Sequence, residues 1–149
     1  MCIRDSYKAG QTRWLVDPLD GTTNYVHGFP IYCISIALQI EGKVVLALVD
    51  VPVLDRTYTA IKGQGAFCND VKLQVSATKF LEDGLASTGF FAENKSALDR
   101  QLEVFSKMIK VCRGVRRAGA AAFDLCMVCL LYTSPSPRDL STSRMPSSA

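Results

Sequence analysis

The run "YCISIALQIEGKVVLALVDVP", residues 32–52, most restricts the folds open to this 149-residue chain. It contains two stretches rich in β-branched and aliphatic residues, separated by Glu41, Gly42 and Lys43. Two such stretches joined by a short segment with a glycine are typical of an antiparallel hairpin. We therefore predict a hairpin here, and with it an antiparallel sheet.

Further strands are predicted on both sides of this hairpin. The apolar run "RWLVD" (13–17) is typical of a buried strand, and "DRTYTAIKG" (55–63) alternates as a third antiparallel strand would. The segment "KGQGAFCND" (62–70) is interpreted as a glycine-punctuated turn. A short edge strand is predicted for "KLQVS" (72–76).

The second part of the chain has a different pattern. "GLASTGF" (84–90) predicts a buried strand, and residues 95–111 carry apolar side chains at helical spacing. "GVRRAG" (114–119) predicts a short strand and turn, and "AAAFDLCMV" (120–128) predicts a helix. An antiparallel meander followed by β-α-β-α indicates a layered α/β architecture.

Composition excludes several classes of protein. With 48% hydrophobic and 21% charged residues the chain is expected to be soluble and globular, and no apolar run approaches a membrane span. The net charge of +3 permits anionic substrates without indicating nucleic acid. Six cysteines scattered in apolar contexts favour reduced thiols and a cytoplasmic location. Cys126 and Cys129 have CxxC spacing, but without a second pair we interpret them as packed helix residues.

Both ends of the chain differ in sequence character from the part between them. "MCIRDS" and "LLYTSPSPRD" resemble translated sequencing-adapter sequence. We expect residues 1–6 and 130–149 to be non-native, with the second segment a disordered tail rich in Ser and Pro. The alternative is a genuine flexible tail.

The stretch "DPLDGTTN" follows the first predicted strand and concentrates oxygen ligands. Asp17, Asp20 and the carbonyl of Leu19 can turn toward one point, and such oxygens suit a hard cation such as Mg²⁺. Gly21 lets the backbone approach a ligand, and a helix starting near Thr22 would favour phosphate at its free N–H groups. Metal-assisted phosphate ester hydrolysis fits this combination. An ordinary Asp-Pro/Asp-Gly turn fits these residues equally well.

A family resemblance favours the first interpretation. "WLVDPLDGTTNYVHGFP" closely resembles the signature of the inositol monophosphatase family of Mg²⁺-dependent, lithium-sensitive phosphatases. "IKGQGAFCND", "LASTGF" and "RRAGAAAFDLCMV" agree with the family in order and spacing, and the bacterial inositol-1-monophosphatase branch is nearest in texture. The resemblance implies a layered αβαβα sugar-phosphatase fold, truncated at both ends. Residues 7–83 would form its metal- and phosphate-binding half and residues 84–129 the start of its second half.

The resemblance also assigns roles to residues. Asp17 should bridge two metals, with the Leu19 carbonyl on the first and Asp20 on the second. Gly21 and Thr22 should bind phosphate through their N–H groups, and Thr22 should help to hold the nucleophilic water. The catalytic set is thus Asp17, Asp20 and Thr22.

Substrate binding is expected from Asp20, Gly21 and Thr22 together with a second loop. Gly119, Ala120 and Ala121 match the family loop that lies against the inositol ring. A Gly-Ala-Ala helix start is also common as plain packing, so this loop has an alternative structural interpretation.

Two acidic ligands of the family have no counterpart here. One is a glutamate upstream, the other an aspartate in a downstream Trp-Asp motif. We therefore expect the parent protein to be an active cytoplasmic phosphatase and a homodimer, and the 149-residue chain to bind Mg²⁺ weakly and be inactive. The expected substrate is myo-inositol 1-phosphate. Histidinol phosphate, nucleotide 3′-phosphates and fructose bisphosphate are the alternatives.

The most basic segment carries five cations: Lys107, Lys110, Arg113, Arg116 and Arg117. We interpret it as a solvated helix face that attracts anionic substrate. A surface for RNA and the transcription machinery is the alternative function of another class, since some bacterial family members act there. His27, the single histidine, is assigned no catalytic role.

Overall fold

The computed structural model describes residues 11–90 and 95–131 of the chain. The first part forms a six-stranded antiparallel sheet in which every strand pairs with the next along the chain. Its strands are β1 Thr12–Asp20, β2 Cys33–Ile40, β3 Lys43–Val51, β4 Arg56–Ile61, β5 Gly65–Cys68 and β6 Val71–Lys72. A short helix, α1 Thr22–Val26, follows β1, and one 3₁₀ turn, Pro52–Leu54, follows β3. The predicted antiparallel meander is confirmed.

The second part is a small parallel unit. Strands β7 Leu85–Ser87 and β8 Gly114–Arg116 pair in parallel, and the helix α2 Lys95–Val111 lies between them in sequence. Parallel neighbours need such a crossover connection. A second 3₁₀ turn, Leu81–Asp83, precedes this unit, and α3 Ala121–Leu131 follows it. The predicted β-α-β-α order is confirmed.

The turn between β2 and β3 shows why the hairpin was readable from sequence. Glu41 and Gly42 have φ values of 49° and 77°. Positive φ at both central residues is the geometry of the two-residue turn that matches the twist of paired strands. The predicted hairpin is confirmed at the predicted turn.

The prediction that the first strand ends at Asp17 is wrong. Strand β1 continues to Asp20, but its register with β2 shifts between Asp17, opposite Ser35, and Asp20, opposite Cys33. Pro18 lies in this interval and has no N–H to donate, so regular pairing is interrupted there. The strand thus carries a local irregularity where a clean end was expected.

Two predictions near the far edge of the sheet are also corrected. The segment 62–70 is a turn only at its start, because Gly65–Cys68 forms β5 and pairs with β4. The predicted edge strand 72–76 is reduced to Val71–Lys72. Val75 is 69% exposed, so its side chain gains little apolar burial there, whereas Leu73 still packs against the core.

The core lies between the sheet and α3. Cys33, Val51 and Tyr58 come from three neighbouring strands, Ala120 is the residue just before α3, and Phe123 lies in its first turn. All five are buried, and Val51 and Cys33 are completely inaccessible. The core therefore fixes the N-terminal end of α3 against the sheet.

Several expectations concern residues outside this description. Residues 1–10, 91–94 and 132–149 are not described, so the predictions for 1–6 and for most of 130–149 lie outside the described residues. Helix α3 includes residues 130 and 131. Within the described ranges, no helix has the length and apolar content needed to cross a membrane.

A matched pair of valines tests the position of the core. Val51→Ala should lower the free energy of unfolding by about 2 kcal/mol, because it removes fully buried methyl groups and leaves a cavity. Val75→Ala should change it by less than about 0.5 kcal/mol, since that side chain is largely exposed. Urea unfolding measures both, and equal losses would contradict the assigned core.

Candidate active site

The loop after the regular part of β1 is organised by short-range hydrogen bonds. The Leu19 N–H donates to Asp17 Oδ1 at 3.2 Å, and the Thr22 hydroxyl donates to the Leu19 carbonyl at 3.0 Å. Asp17 and Thr22 are solvent-exposed, whereas Leu19 is half-buried. Three of the predicted site residues therefore belong to one tight loop that remains accessible to a ligand.

Gly21 joins this loop to α1 in a conformation that requires glycine. Its φ is +85°, and a Cβ built there would lie 2.9 Å from the Ile31 carbonyl oxygen and 3.1 Å from the Cβ of Ala120. The Gly21 carbonyl accepts the Tyr25 N–H at 3.0 Å and so begins the helix. The glycine thus allows the turn and a close approach to the segment before α3.

Asp20 connects β1 directly to α3. Its Oδ2 accepts the backbone N–H of Ala122 at 2.6 Å. Ala122 lies in the first turn of α3, and the residue just before that helix, Ala120, has no polar side chain. Asp20 therefore acts as a helix cap supplied from a distant strand, with its negative charge at the positive end of the helix dipole.

Cys33 lies beside this carboxylate and was not identified from the sequence. It is completely buried, stands opposite Asp20 in the ladder, and places its Sγ 3.8 Å from Asp20 Oδ2. Burial, together with the negative charge of Asp20, raises the pKa of the thiol to about 12. The thiol therefore stays protonated at neutral pH and can donate to Asp20. Cys33 and Asp20 are 13 residues apart in the chain and come together only because they are paired in the β1–β2 ladder, so the sequence alone did not show their contact.

Asn24, the last residue of "DGTTN", was also not singled out from the sequence. Its Nδ2 donates to the Ile31 carbonyl at 2.6 Å and to the Ala118 carbonyl at 2.8 Å. Ala118 directly precedes the predicted substrate loop 119–121. Asn24 thus ties α1 to both the start of β2 and this loop.

The structure brings the two predicted segments together. Asp20 contacts Ala122, Gly21 approaches Ala120, and Gly119 lies against the amide of Asn24. Ala121 begins α3 and is exposed. The two sets of candidates therefore lie side by side, with Gly21 and Ala120 buried at the contact between them and Asp17, Thr22, Gly119 and Ala121 exposed.

Asp124 adds a second carboxyl group near Asp20. It lies in the first turn of α3 and is half-buried. Burial raises its pKa above the ordinary value, a hydrogen bond from Ser87 opposes this shift, and the charge of Asp20 adds to it. The charge of Asp20 therefore acts on the Asp124 carboxyl group near the N-terminus of α3.

The donor set suits a hard cation in part. Asp17, the Leu19 carbonyl and Asp20 offer oxygen atoms, and because Asp20 uses Oδ2 for Ala122, its Oδ1 remains available. Within residues 11–90 and 95–131, no group of three or more His, Cys, Asp or Glu side chains could hold a metal. Mg²⁺ requires near-octahedral oxygen ligation, so these donors would need water or phosphate oxygens to complete it.

The basic segment is less open than its sequence indicates. Lys107 pairs with Glu103 at 2.6 Å, and the Arg117 guanidinium stacks over the Phe90 ring at 5.7 Å. Arg116 donates to the Val115 carbonyl at 3.1 Å. Three of the five cations thus have local partners.

His27 and Cys126, which the sequence analysis also considered, make contacts within the fold. His27 is exposed at the end of α1, with its Nδ1 2.8 Å from the Thr23 carbonyl. Cys126 packs against the core from α3, and the side chain of Cys129 lies outside the described residues.

Comparison with known proteins identifies the family. Residues 4–131 match the Inositol monophosphatase family. The chain belongs to the inositol monophosphatase family. It is 42% identical over 128 residues to "Nus factor SuhB" of Pseudomonas aeruginosa, covering 85% of this chain and 47% of that protein. It is 43% identical over 119 residues to "Inositol-1-monophosphatase" of Rhizobium meliloti, covering 80% and 45%.

Solved structures agree with this assignment. The extragenic suppressor protein suhB from Bartonella henselae gives a TM-score of 0.76 at 41% identity, covering 80% of this chain and 46% of that one. The inositol monophosphatase from Anabaena gives 0.77 at 36% identity, covering 83% and 50%. The predicted α/β sugar-phosphatase fold is confirmed, and the chain spans about half the length of the relatives that it matches.

Two substitutions of Asp20 separate its structural and electrostatic parts. Asp20→Ala should lower the free energy of unfolding by about 1–2 kcal/mol, because α3 loses its cap. Asp20→Asn should lose less than half of that, since an amide oxygen can still accept the Ala122 N–H.

Asp99→Ala, at an exposed carboxylate on α2, is the control for charge removal. Urea unfolding at neutral pH measures all three. Equal stability of Asp20→Ala and wild type would contradict the capping role.

Proposed function

We propose that the complete protein is a Mg²⁺-dependent phosphatase that hydrolyses a small phosphate monoester with water as the nucleophile. The observation that supports this most is the hydrogen bond from Ala122 to Asp20. It holds the loop of Asp17, Leu19 and Thr22 beside the 119–121 loop, so the phosphate end and the alcohol end of a substrate could be bound next to each other. Membership of a generally metal-dependent family agrees with the proposal.

Each residue contributes a separate part. Asp17, the Leu19 carbonyl and Asp20 would hold the metal, which when bound polarises water and neutralises phosphate charge. Gly21 and Thr22 offer backbone N–H groups to the phosphate at the start of α1. Because the Thr22 hydroxyl already donates to Leu19, its oxygen is left to accept a hydrogen bond from the attacking water and so to orient it.

The proposed substrate is myo-inositol 1-phosphate, and the products are inositol and phosphate. The relative of Rhizobium meliloti carries the name of this activity. The loop of Gly119, Ala120 and Ala121 would lie against the inositol ring. We propose further that the protein is lithium-sensitive, cytoplasmic and homodimeric. Histidinol phosphate, nucleotide 3′-phosphates and fructose bisphosphate are the alternative substrates within the family.

The 149-residue chain is proposed to be a weak metal binder and inactive by itself. It spans about half of its relatives, and its described part supplies two carboxylates and a carbonyl to the site. Additional acidic ligands from the rest of the protein would complete the octahedral sphere that Mg²⁺ requires.

The test is an assay of phosphate release by the protein encoded by the full reading frame. We expect hydrolysis of myo-inositol 1-phosphate that needs Mg²⁺ and is faster than hydrolysis of the three alternative substrates. Asp17→Asn should lower kcat/KM by about 100-fold or more, because it removes a metal ligand, equivalent to ~2.7 kcal/mol.

Asp70→Asn, at an exposed turn carboxylate beside β6, is the matched control and should leave kcat/KM within about twofold. The 149-residue chain is assayed in parallel and should show no Mg²⁺-dependent release. An active full-length protein that is insensitive to Asp17→Asn would contradict the assigned metal site.

A second function is favoured by the names of relatives. The matching proteins of Pseudomonas aeruginosa and Pasteurella multocida are both called "Nus factor SuhB". We propose as the alternative that the protein binds RNA or the transcription machinery, with the basic segment Lys107 to Arg117 as the contact surface. Phosphatase activity would then be incidental.

Salt dependence of RNA binding tests this alternative. Neutralising Lys110 and Arg113 should weaken binding and flatten the slope of log affinity against log salt, because fewer phosphate contacts release counterions. Neutralising Lys62 and Lys72 in the β4–β6 region is the control for net charge. Equal effects of the two double variants would argue against a localised RNA surface.

A further inference from the structure

Asn24 uses both protons of its side-chain amide on backbone carbonyls. One goes to Ile31 at 2.6 Å and the other to Ala118 at 2.8 Å, and the side chain is half-buried. An asparagine amide has two donors, so this group is fully used. A residue next to the phosphate-binding turn thus holds two segments that are distant in sequence.

The contact with Ala118 is the last of an ordered series. Asp20 bonds Ala122, Gly21 packs on Ala120, and Asn24 bonds Ala118. Residue numbers rise from 20 to 24 in the first segment while they fall from 122 to 118 in the second. The two segments therefore run antiparallel to each other. Asn24 closes this series at the end where the 119–121 loop begins.

Gly119 shows how closely the loop approaches Asn24. Its φ is +85°, and a Cβ built there would lie 2.9 Å from Asn24 Oδ1 and 3.0 Å from Nδ2. Any larger residue would have to displace either the loop or the amide. The position of the Asn24 amide therefore requires a residue without a Cβ at position 119.

We propose that Asn24 is a positioning residue that fixes the 119–121 loop relative to the phosphate-binding turn and so determines which alcohol part of a phosphate monoester fits. The proposal rests on the proposed function for its substrate. Its structural part, the immobilisation of the loop, can be tested without any hydrolysis.

Asn24→Asp is the sharpest variant, because it is almost isosteric, removes both donors and sets a negative group against two carbonyls. Hydrogen exchange followed by mass spectrometry should show amide exchange in residues 117–123 about tenfold faster than in wild type. Exchange in strands β3 and β4 of the same sample should be unchanged, which also verifies folding.

Asn69→Asp is the matched control. The Asn69 side chain likewise bridges backbone groups, accepting from Thr57 N–H and donating to the Asp55 carbonyl, both at 2.7 Å. The Asn69→Asp variant should accelerate amide hydrogen exchange around residues 55–70 and leave exchange in residues 117–123 unchanged. If Asn24→Asp does not fold, Gly119→Ala displaces the same loop and should show the same local acceleration.

A kinetic readout separates loop positioning from general support of the site. In the full-length protein, Asn24→Ala, which removes both donors without adding charge, should raise the KM for myo-inositol 1-phosphate about tenfold, while the inhibition constant of inorganic phosphate stays within about twofold. In the proposed site phosphate would contact the turn at Gly21 and Thr22, whereas only the alcohol part of the substrate would contact the loop.

Each outcome decides one point. Unchanged exchange at 117–123 in both Asn24→Asp and Gly119→Ala, or uniformly faster exchange across the sheet, would overturn the positioning role. Equal weakening of substrate and inorganic phosphate would overturn the assignment to the alcohol part. A wild-type protein without hydrolysis but with the expected exchange pattern would count against the proposed function alone.

Discussion

The hydrogen bond from the Ala122 N–H to the Asp20 carboxylate is the contact on which the rest of the structure depends. It joins the irregular end of β1 to the first turn of α3 and satisfies a helix donor that has no local cap. The buried Cys33 thiol lies beneath the same carboxylate, and Ala120 and Phe123 carry the helix into the core. Sheet, helix and candidate site are therefore positioned by one short segment.

This arrangement accounts for the composition of the "DPLDGTTN" stretch. Pro18 interrupts the ladder between Asp17 and Asp20, so the Leu19 carbonyl lies outside the regular pairing, and Gly21 permits the turn that brings Ala120 close. Thr22 fixes the Leu19 peptide by its hydroxyl. Residues that would make an ordinary turn thus also leave a set of oxygen ligands accessible beside a second loop. The chain belongs to the inositol monophosphatase family, and we propose that this set of oxygen atoms binds a metal.

Sequence patterns predicted which strands and helices form better than they predicted the residues at which these elements begin and end. The hairpin at Glu41 and Gly42 was readable because its turn needs residues that tolerate positive φ. The extension of β1 to Asp20 was missed because proline normally ends a strand, and β6 was overestimated because β-propensity does not report burial. The predicted site residues came from two motifs, one in residues 17–22 and the other in residues 119–121, each contained within a single segment of the chain. Cys33 and Asn24 were missed because their importance depends on the β1–β2 register and on a contact with Ala118.

The most direct test of the account is paramagnetic broadening by Mn²⁺, used in place of Mg²⁺, in amide NMR spectra of the chain. Broadening detects weak sites, so an incomplete coordination sphere does not prevent the measurement. We predict that the signals of residues 17–22 and 120–122 broaden first and that Asp20→Asn abolishes this selectivity. Broadening that begins elsewhere, or that Asp20→Asn leaves unchanged, would contradict the claim that Asp17, Leu19 and Asp20 form the metal site.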